Sequence, residues 1–136
     1  MPNKAKVLVV EDEDLLLQAI TRKLELNKMN AIPCKSGKDA IELLSNLGEK
    51  PDVIWLDYYL KDMNGLEFMC SLKKNAKLTD ILTIVVSNSA SSDKVKSMLA
   101  LGVKKYYLKA ENRLDDIIST IKSMLEEQQA ANNNKP

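Results

Sequence analysis

The chain has 136 residues, 45% of them apolar and 29% charged, a balance that suits one globular domain built around a full core. Its formal net charge of +1 excludes a dominant nucleic-acid or membrane electrostatic footprint, no run reaches the length of a membrane span, and the N-terminus lacks a secretory h-region. It contains no histidine, the commonest general base and metal ligand, and Cys34 and Cys70 are expected to be reduced thiols of a cytoplasmic protein.

Lys6–Val10 (KVLVV) reads as a first strand and ends in the acidic run Glu11–Asp14, where Asp12 or Asp14 can cap the helix that follows. That helix carries Leu16, Leu17, Ile20 and Leu24 at helical spacing and closes at Asn27-Lys28. Asn30–Cys34 is a short, weaker second strand, and Pro33 argues that it lies at a sheet edge or ends there. Ser36-Gly37 opens a second helix with Ala40, Ile41, Leu44 and Leu47 on one face, stopped by Gly48 and Pro51. Val53–Leu56 is a third strand, apolar throughout and therefore buried on both faces, and Asp57 stands at its carboxyl end. Asn64-Gly65 starts a third helix, with Leu66, Met69 and Leu72 inward. Ile81–Val86 is strand four, followed by Ser87. Ser91-Ser92-Asp93 caps helix four, which carries Val95, Met98 and Leu99 and stops at Gly102. Lys104–Leu108 is strand five, followed by Lys109. Helix five runs from about Glu111 to Gln128 with Leu114, Ile117, Ile118, Ile121 and Leu125 inward, and 129–136 are expected to be a disordered tail or the start of a linker.

Five strands alternating with five helices imply right-handed crossovers, a parallel sheet and helices on both faces: a doubly wound α/β domain over 1–128. Ligands of such sheets bind beyond the carboxyl ends of the strands. Glu11, Asp12, Asp57, Ser87 and Lys109 all fall there. Converging carboxylates without His or Cys make an oxygen-only site that suits Mg²⁺, and a lysine and a hydroxyl can hold phosphoryl oxygens. No Ser-His or Cys-His pair is present to activate a nucleophile for acyl transfer.

Glu11-Asp12 after strand one, Asp57 after strand three, Asn64-Gly65 downstream, Ser87 after strand four and Tyr106…Lys109 at strand five together resemble the response-regulator receiver domain of two-component signalling, over all but the tail. The resemblance implies a flavodoxin-like strand order 2-1-3-4-5. It implies that Asp57 is the phosphoacceptor, that Asp12, Asp57 and the Tyr59 backbone carbonyl hold Mg²⁺ with Glu11 acting directly or through water, and that Lys109 pairs with Asp57 and then with the phosphoryl group. Ser87 and Tyr106 would form a switch, with Tyr107 a competitor for the inward aromatic position. The expected partners are a sensor histidine kinase or histidine phosphotransfer protein and a downstream protein or separate output domain, with the face of helix four, strand five and helix five serving contacts, a homodimer included.

Four residues, at three places in the chain, depart from the family pattern. Ala110 stands where proline usually follows the lysine, Leu60-Lys61 where Met-Pro is usual, and Asn88 where a small residue is usual. A large Tyr59 and a polar Asn88 are expected to set water access to the acyl phosphate. The departures motivate an alternative, a degenerate receiver that binds partners without phosphorylation. An aspartyl-nucleophile phosphatase of the haloacid dehalogenase type ranks far below, because Tyr59 occupies the place of its required second Asp. A receiver is not an enzyme with an external substrate; it assists its own phosphorylation and slow dephosphorylation.

Overall fold

Every residue of β3 (Val53–Asp57) is buried, and the other elements are arranged around it. In this computed structural model, which describes residues 4–46 and 48–133, β3 lies between β1 (Lys6–Val10) and β4 (Leu82–Ser87). β2 (Asn30–Cys34) and β5 (Lys105–Leu108) form the edges, all pairings are parallel, and the order is β2-β1-β3-β4-β5. Four α-helices lie between successive strands, α1 (Asp14–Leu26), α2 (Gly37–Asn46), α3 (Gly65–Lys73) and α4 (Ser92–Ala100), and α5 (Leu114–Asn133) follows β5. The expected fold class, strand order and helix count are all present.

The period of two along each strand divides the core into two layers. Val7, Val9, Val53, Trp55, Ile84 and Val86 pack with Leu17, Ile20 and Leu24 of α1 and Ile117, Ile118 and Ile121 of α5. Leu8, Val10, Ile54, Leu56 and Val85 pack with Ala40 and Leu44 of α2, Phe68, Met69 and Leu72 of α3, and Met98 of α4. Trp55 is thus a core residue, as its apolar neighbours suggest. The register sets the strand ends side by side: Val10 lies opposite Leu56, Asp57 opposite Val86, and Ser87 opposite Leu108.

Several local expectations are corrected. Leu66 of α3 and Leu99 of α4 are exposed, and the inward places are taken by Phe68 and by Met98 alone. β4 begins at Leu82 and takes in Ser87. Ala76–Leu78 forms a 3₁₀ turn, capped by the Asn75 side chain and anchored by buried Leu78, which the polar sequence around it concealed. α5 starts only at Leu114, because the Glu111 and Asn112 N–H groups both turn back to the Leu108 carbonyl. It then continues through Asn133 rather than ending at Gln128. Its residues 126–133 are all exposed, so no apolar periodicity marks them, while Glu, Gln and Ala have the propensity to prolong a helix. Leu47 and 134–136 lie outside the described residues. α1 closes with Lys28 at φ 63°, its N–H on the Glu25 carbonyl, where the sequence placed the stop.

The turn leaving β3 is fixed by close packing at Gly65. Asn64 and Glu67 form a reciprocal capping box at the start of α3, and the Gly65 N–H donates to the Tyr58 carbonyl at 2.7 Å. A Cβ on Gly65 would come within 2.7 Å of Cδ2 of the Tyr58 ring and 3.1 Å of Cε of Met98. Gly65→Ala therefore lowers stability by about 1–3 kcal/mol despite alanine's better helix propensity. Denaturant unfolding followed by Trp55 fluorescence measures it.

Candidate functional site

The ends of β1, β3, β4 and β5 bring Glu11, Asp12, Asp57, Ser87 and Lys109 to one edge of the sheet. Glu11 is 2% exposed and Asp57 5%. One carboxylate oxygen from each of Glu11, Asp12 and Asp57 lies within 4.8 Å of the others. The Lys109 ammonium sits between two of them, 3.1 Å from Glu11 Oε1 and 3.6 Å from Asp57 Oδ1. The second oxygen of Glu11 accepts from the Glu13 N–H at 3.0 Å, which holds it at the entrance to α1. Lys109 is itself placed by its N–H, which donates to the Ser87 carbonyl at 2.8 Å.

The electrostatics follow from this crowding. Burial first, then the Glu11 carboxylate, push Asp57 up to about 7, and Lys109 opposes both. Burial pushes the Lys109 ammonium down, but Asp57 and Glu11 outweigh it and leave its pKa above the ordinary value. With one cation and three carboxylates, the cluster is short of positive charge. Hard oxygen ligands at this spacing fit a divalent cation such as Mg²⁺, which binds through one or two carboxylates with water and phosphate oxygens.

The loop after Asp57 adds to the set. Tyr59 pairs with Asn64 in an antiparallel bridge closed by Gly65 N–H to Tyr58 and Leu60 N–H to Met63, which leaves the Tyr59 carbonyl outside these bonds. The Lys61 N–H donates to Asp12 Oδ2 at 2.7 Å. A proline at 61 has no N–H to give, so this departure from the family pattern ties the loop to the end of β1. The Lys109–Ala110 bond is trans. Below the turn, Leu16, Trp55, Lys109 and Arg113 help to line a cavity of about 280 Å³, which makes Trp55 a reporter on the lysine. A larger cavity, about 570 Å³, lies at the opposite end of the sheet among Pro51, Asp80 and Gln128, remote from the carboxylates.

Ser87 is fully buried, and its hydroxyl accepts from the Ser89 N–H at 3.3 Å. Tyr106 packs on the α4 side, and its hydroxyl donates to the Ser89 carbonyl at 2.9 Å. Tyr107 packs on the opposite layer with α5, so the two tyrosines do not compete for one position. Asn88 is exposed; the residue that meets Tyr59 is Ser89, whose Oγ donates to the Tyr59 hydroxyl at 3.3 Å. Sequence reasoning missed Tyr58, Ser89 and Lys94. Tyr58 and Tyr59 meet edge to face at 4.8 Å, and Lys94 Nζ lies 4.5 Å from the Tyr59 ring centroid. A Tyr-Tyr pair directly after the strand-end aspartate was the available signal.

A family model for the response regulator receiver domain matches residues 7–122. The chain belongs to this family. A sensor kinase, CckA, from Brucella abortus is 30% identical over 94% of this chain, which spans only 13% of that protein's length. The two-component response regulator ORR5 of Oryza sativa subsp. japonica is 30% identical, with 76% of each chain covered. A Thermotoga maritima cyclic di-GMP phosphodiesterase is 31% identical, and the chain spans 27% of its length. Among solved structures, a CheY-like receiver domain protein from Methanospirillum hungatei superposes with a TM-score of 0.82 at 22% identity, covering 94% of this chain and 98% of that one. The phosphorylated cyanobacterial phytochrome response regulator RcpA gives 0.75 at 25% identity, covering 90% and 92%. This is a receiver domain of two-component response regulators, a family whose general role is to accept phosphoryl groups and whose members bind Mg²⁺ in an acidic pocket. Among the described residues, no helix is long and apolar enough to cross a membrane.

The raised Asp57 pKa has a thermodynamic consequence. A carboxyl whose folded pKa lies above its unfolded value, ordinarily 3.8, favours folding most when protonated. Its contribution is lost as pH rises from about 4 through about 7. Asp57→Asn therefore raises the melting temperature of the ion-free protein by several degrees at pH 8 and changes it little at pH 4; differential scanning calorimetry at the two pH values measures this.

Proposed function

We propose that this chain accepts a phosphoryl group on Asp57 from a histidine kinase or histidine phosphotransfer protein, in the presence of Mg²⁺, and passes the signal on through the face formed by α4, β5 and α5. The observation that carries this reading is the buried Asp57 carboxylate set against Glu11, Asp12 and a single bridging ammonium, Lys109. Asp57 is the nucleophile: a carboxylate oxygen bonds to phosphorus, and the phosphorus–nitrogen bond of the donor breaks. Glu11, Asp12, Asp57 and the Tyr59 carbonyl oxygen are the groups that hold the metal. Bound there, Mg²⁺ supplies the positive charge that the carboxylates lack and screens the incoming phosphoryl oxygens from them.

Lys109 holds Asp57 ready by offsetting its repulsion with Glu11, and it is the natural partner for a phosphoryl oxygen once Asp57 carries the acyl phosphate. The Ser87 hydroxyl, now bonded only within its own turn, is the donor for a second oxygen. Movement of Ser87 pulls on the Ser89 segment, to which Tyr106 is bonded, and so reaches the outer face of β5. That face carries the exposed Leu99, suited to a downstream partner, an output domain or a second copy. We assign the signalling unit to residues 1–128, because Met124 and Leu125 are the last half-buried residues described and Gln128 still lines the cavity beside Pro51 and Asp80, and 129–136 to a tail or the start of a linker. The protein is cytoplasmic in this reading, contacts neither membrane nor nucleic acid directly, and turns over no external substrate.

Incubation with acetyl phosphate and Mg²⁺ followed by intact-mass measurement tests the proposal. One phosphoryl adduct forms on the wild type and none on Asp57→Asn, and beryllofluoride with Mg²⁺ changes Trp55 fluorescence in the wild type alone. A wild-type chain that gains no mass and shows no fluorescence change would instead be a binding module that works without phosphorylation.

A further inference from the structure

Lys94 stands in the first turn of α4, where Ser91 caps the helix by accepting the Lys94 N–H at 3.2 Å. A cation there opposes the helix dipole. Asp93 shares that first turn, but among the described residues no carboxylate forms an ion pair with Lys94. Its ammonium instead lies over two aromatic rings, 4.5 Å from the centroid of Tyr59 and 5.3 Å from that of Tyr58. These rings directly follow Asp57 in the chain and brace each other edge to face, and Tyr58 also packs against Tyr106 at 6.2 Å.

Tyr59 is held at its far end too. Its hydroxyl accepts from Ser89 Oγ, so the side chain reaches from the loop after β3 to the loop after β4. Those loops leave adjacent strands, one at Asp57 and the other at Ser87. The tyrosine therefore bridges the two loops that flank the site, gripped by Lys94 over its face and by Ser89 at its tip. At 43% exposure it is too open to be fixed by burial alone.

We propose that Lys94 is a positioning residue that holds Tyr59 across the site mouth and thereby prolongs the acyl phosphate on Asp57. The inference rests on the phosphoacceptor reading above. In the step concerned, a water oxygen bonds to phosphorus and the bond from phosphorus to the Asp57 oxygen breaks. The electron pair returns to the carboxylate, and both water protons leave on inorganic phosphate. Tyr59, held in place, denies water the approach to phosphorus. Lys94 acts only through the ring and touches neither reacting group.

The test has two readouts. In the ion-free protein, ring currents shift the Lys94 ε-methylene protons upfield in NMR spectra, and Tyr59→Leu returns them to the position of an ordinary lysine. For phosphoprotein made with acetyl phosphate and Mg²⁺, Lys94→Met shortens the half-life about three- to tenfold, the scale of one cation–π contact. Lys94→Arg, which keeps the cation over the ring, restores it. Combining Lys94→Met with Tyr59→Leu is no worse than Tyr59→Leu alone, because the lysine has then lost the group it positions. Unshifted Lys94 protons, or equal half-lives for wild type and Lys94→Met, overturn the inference while leaving the phosphoacceptor reading intact. A wild type that forms no adduct overturns both.

Discussion

Like charges held together under cover dominate the design of this domain. Glu11 and Asp57 are buried side by side because the sheet register leaves them no other place, and Asp12 stands beside them at the rim. One ammonium, from Lys109, lies between the two buried groups. In a low-dielectric setting such an arrangement is costly, and removing a partner from a buried ionic cluster is costlier still. The fold carries this cost in its stiffest part: β3 is buried along its whole length, with strands on both sides and helices on both faces. What the cost maintains is a site that favours whatever brings positive charge to it.

The same constraint explains why the connecting loops are tied down. Lys61 gives its N–H to Asp12, Glu13 gives its N–H to Glu11, and Lys109 gives its N–H to Ser87. Each bond runs from a loop or helix start to a group at a strand end. The β3–α3 loop is further closed by the Tyr59–Asn64 bridge and the tight fit of Gly65 against Tyr58. On the α4 side, the fixings are softer: a serine hydroxyl at 3.3 Å, a tyrosine hydroxyl on a carbonyl, and a lysine over aromatic rings. The α4 flank is therefore held by weaker contacts than the flank that carries the carboxylates.

The sheet was legible from the sequence because its signal is local. KVLVV and VIWLD are apolar runs closed by acid, and the alternation of strands with helical patterns leaves few topologies. Asp57, Glu11, Asp12 and Lys109 were legible for a related reason: a charged residue that ends a buried strand falls at the strand's mouth whatever the details of packing. The failures were elsewhere. The outer turns of α5 bury nothing and so left no periodic trace, and Leu66 and Leu99 fit a helical stripe by spacing yet face solvent. Asn88 was expected to act with Tyr59 at the site, but a loop residue's direction depends on its backbone, and here the turn brings Ser89 to the Tyr59 hydroxyl. The contact of Lys94 with Tyr59 joins positions 35 apart in sequence on different elements, beyond the reach of any local pattern.

The central claim, that burial beside Glu11 keeps Asp57 poised and in need of positive charge, is tested most directly by following the Asp57 side-chain carboxyl carbon by NMR as pH is varied. With no divalent cation present, the Asp57 resonance titrates with a midpoint near 7, and saturating Mg²⁺ moves that midpoint well below neutrality. A midpoint in the ordinary aspartate range without the ion, unmoved when Mg²⁺ is added, would contradict the account.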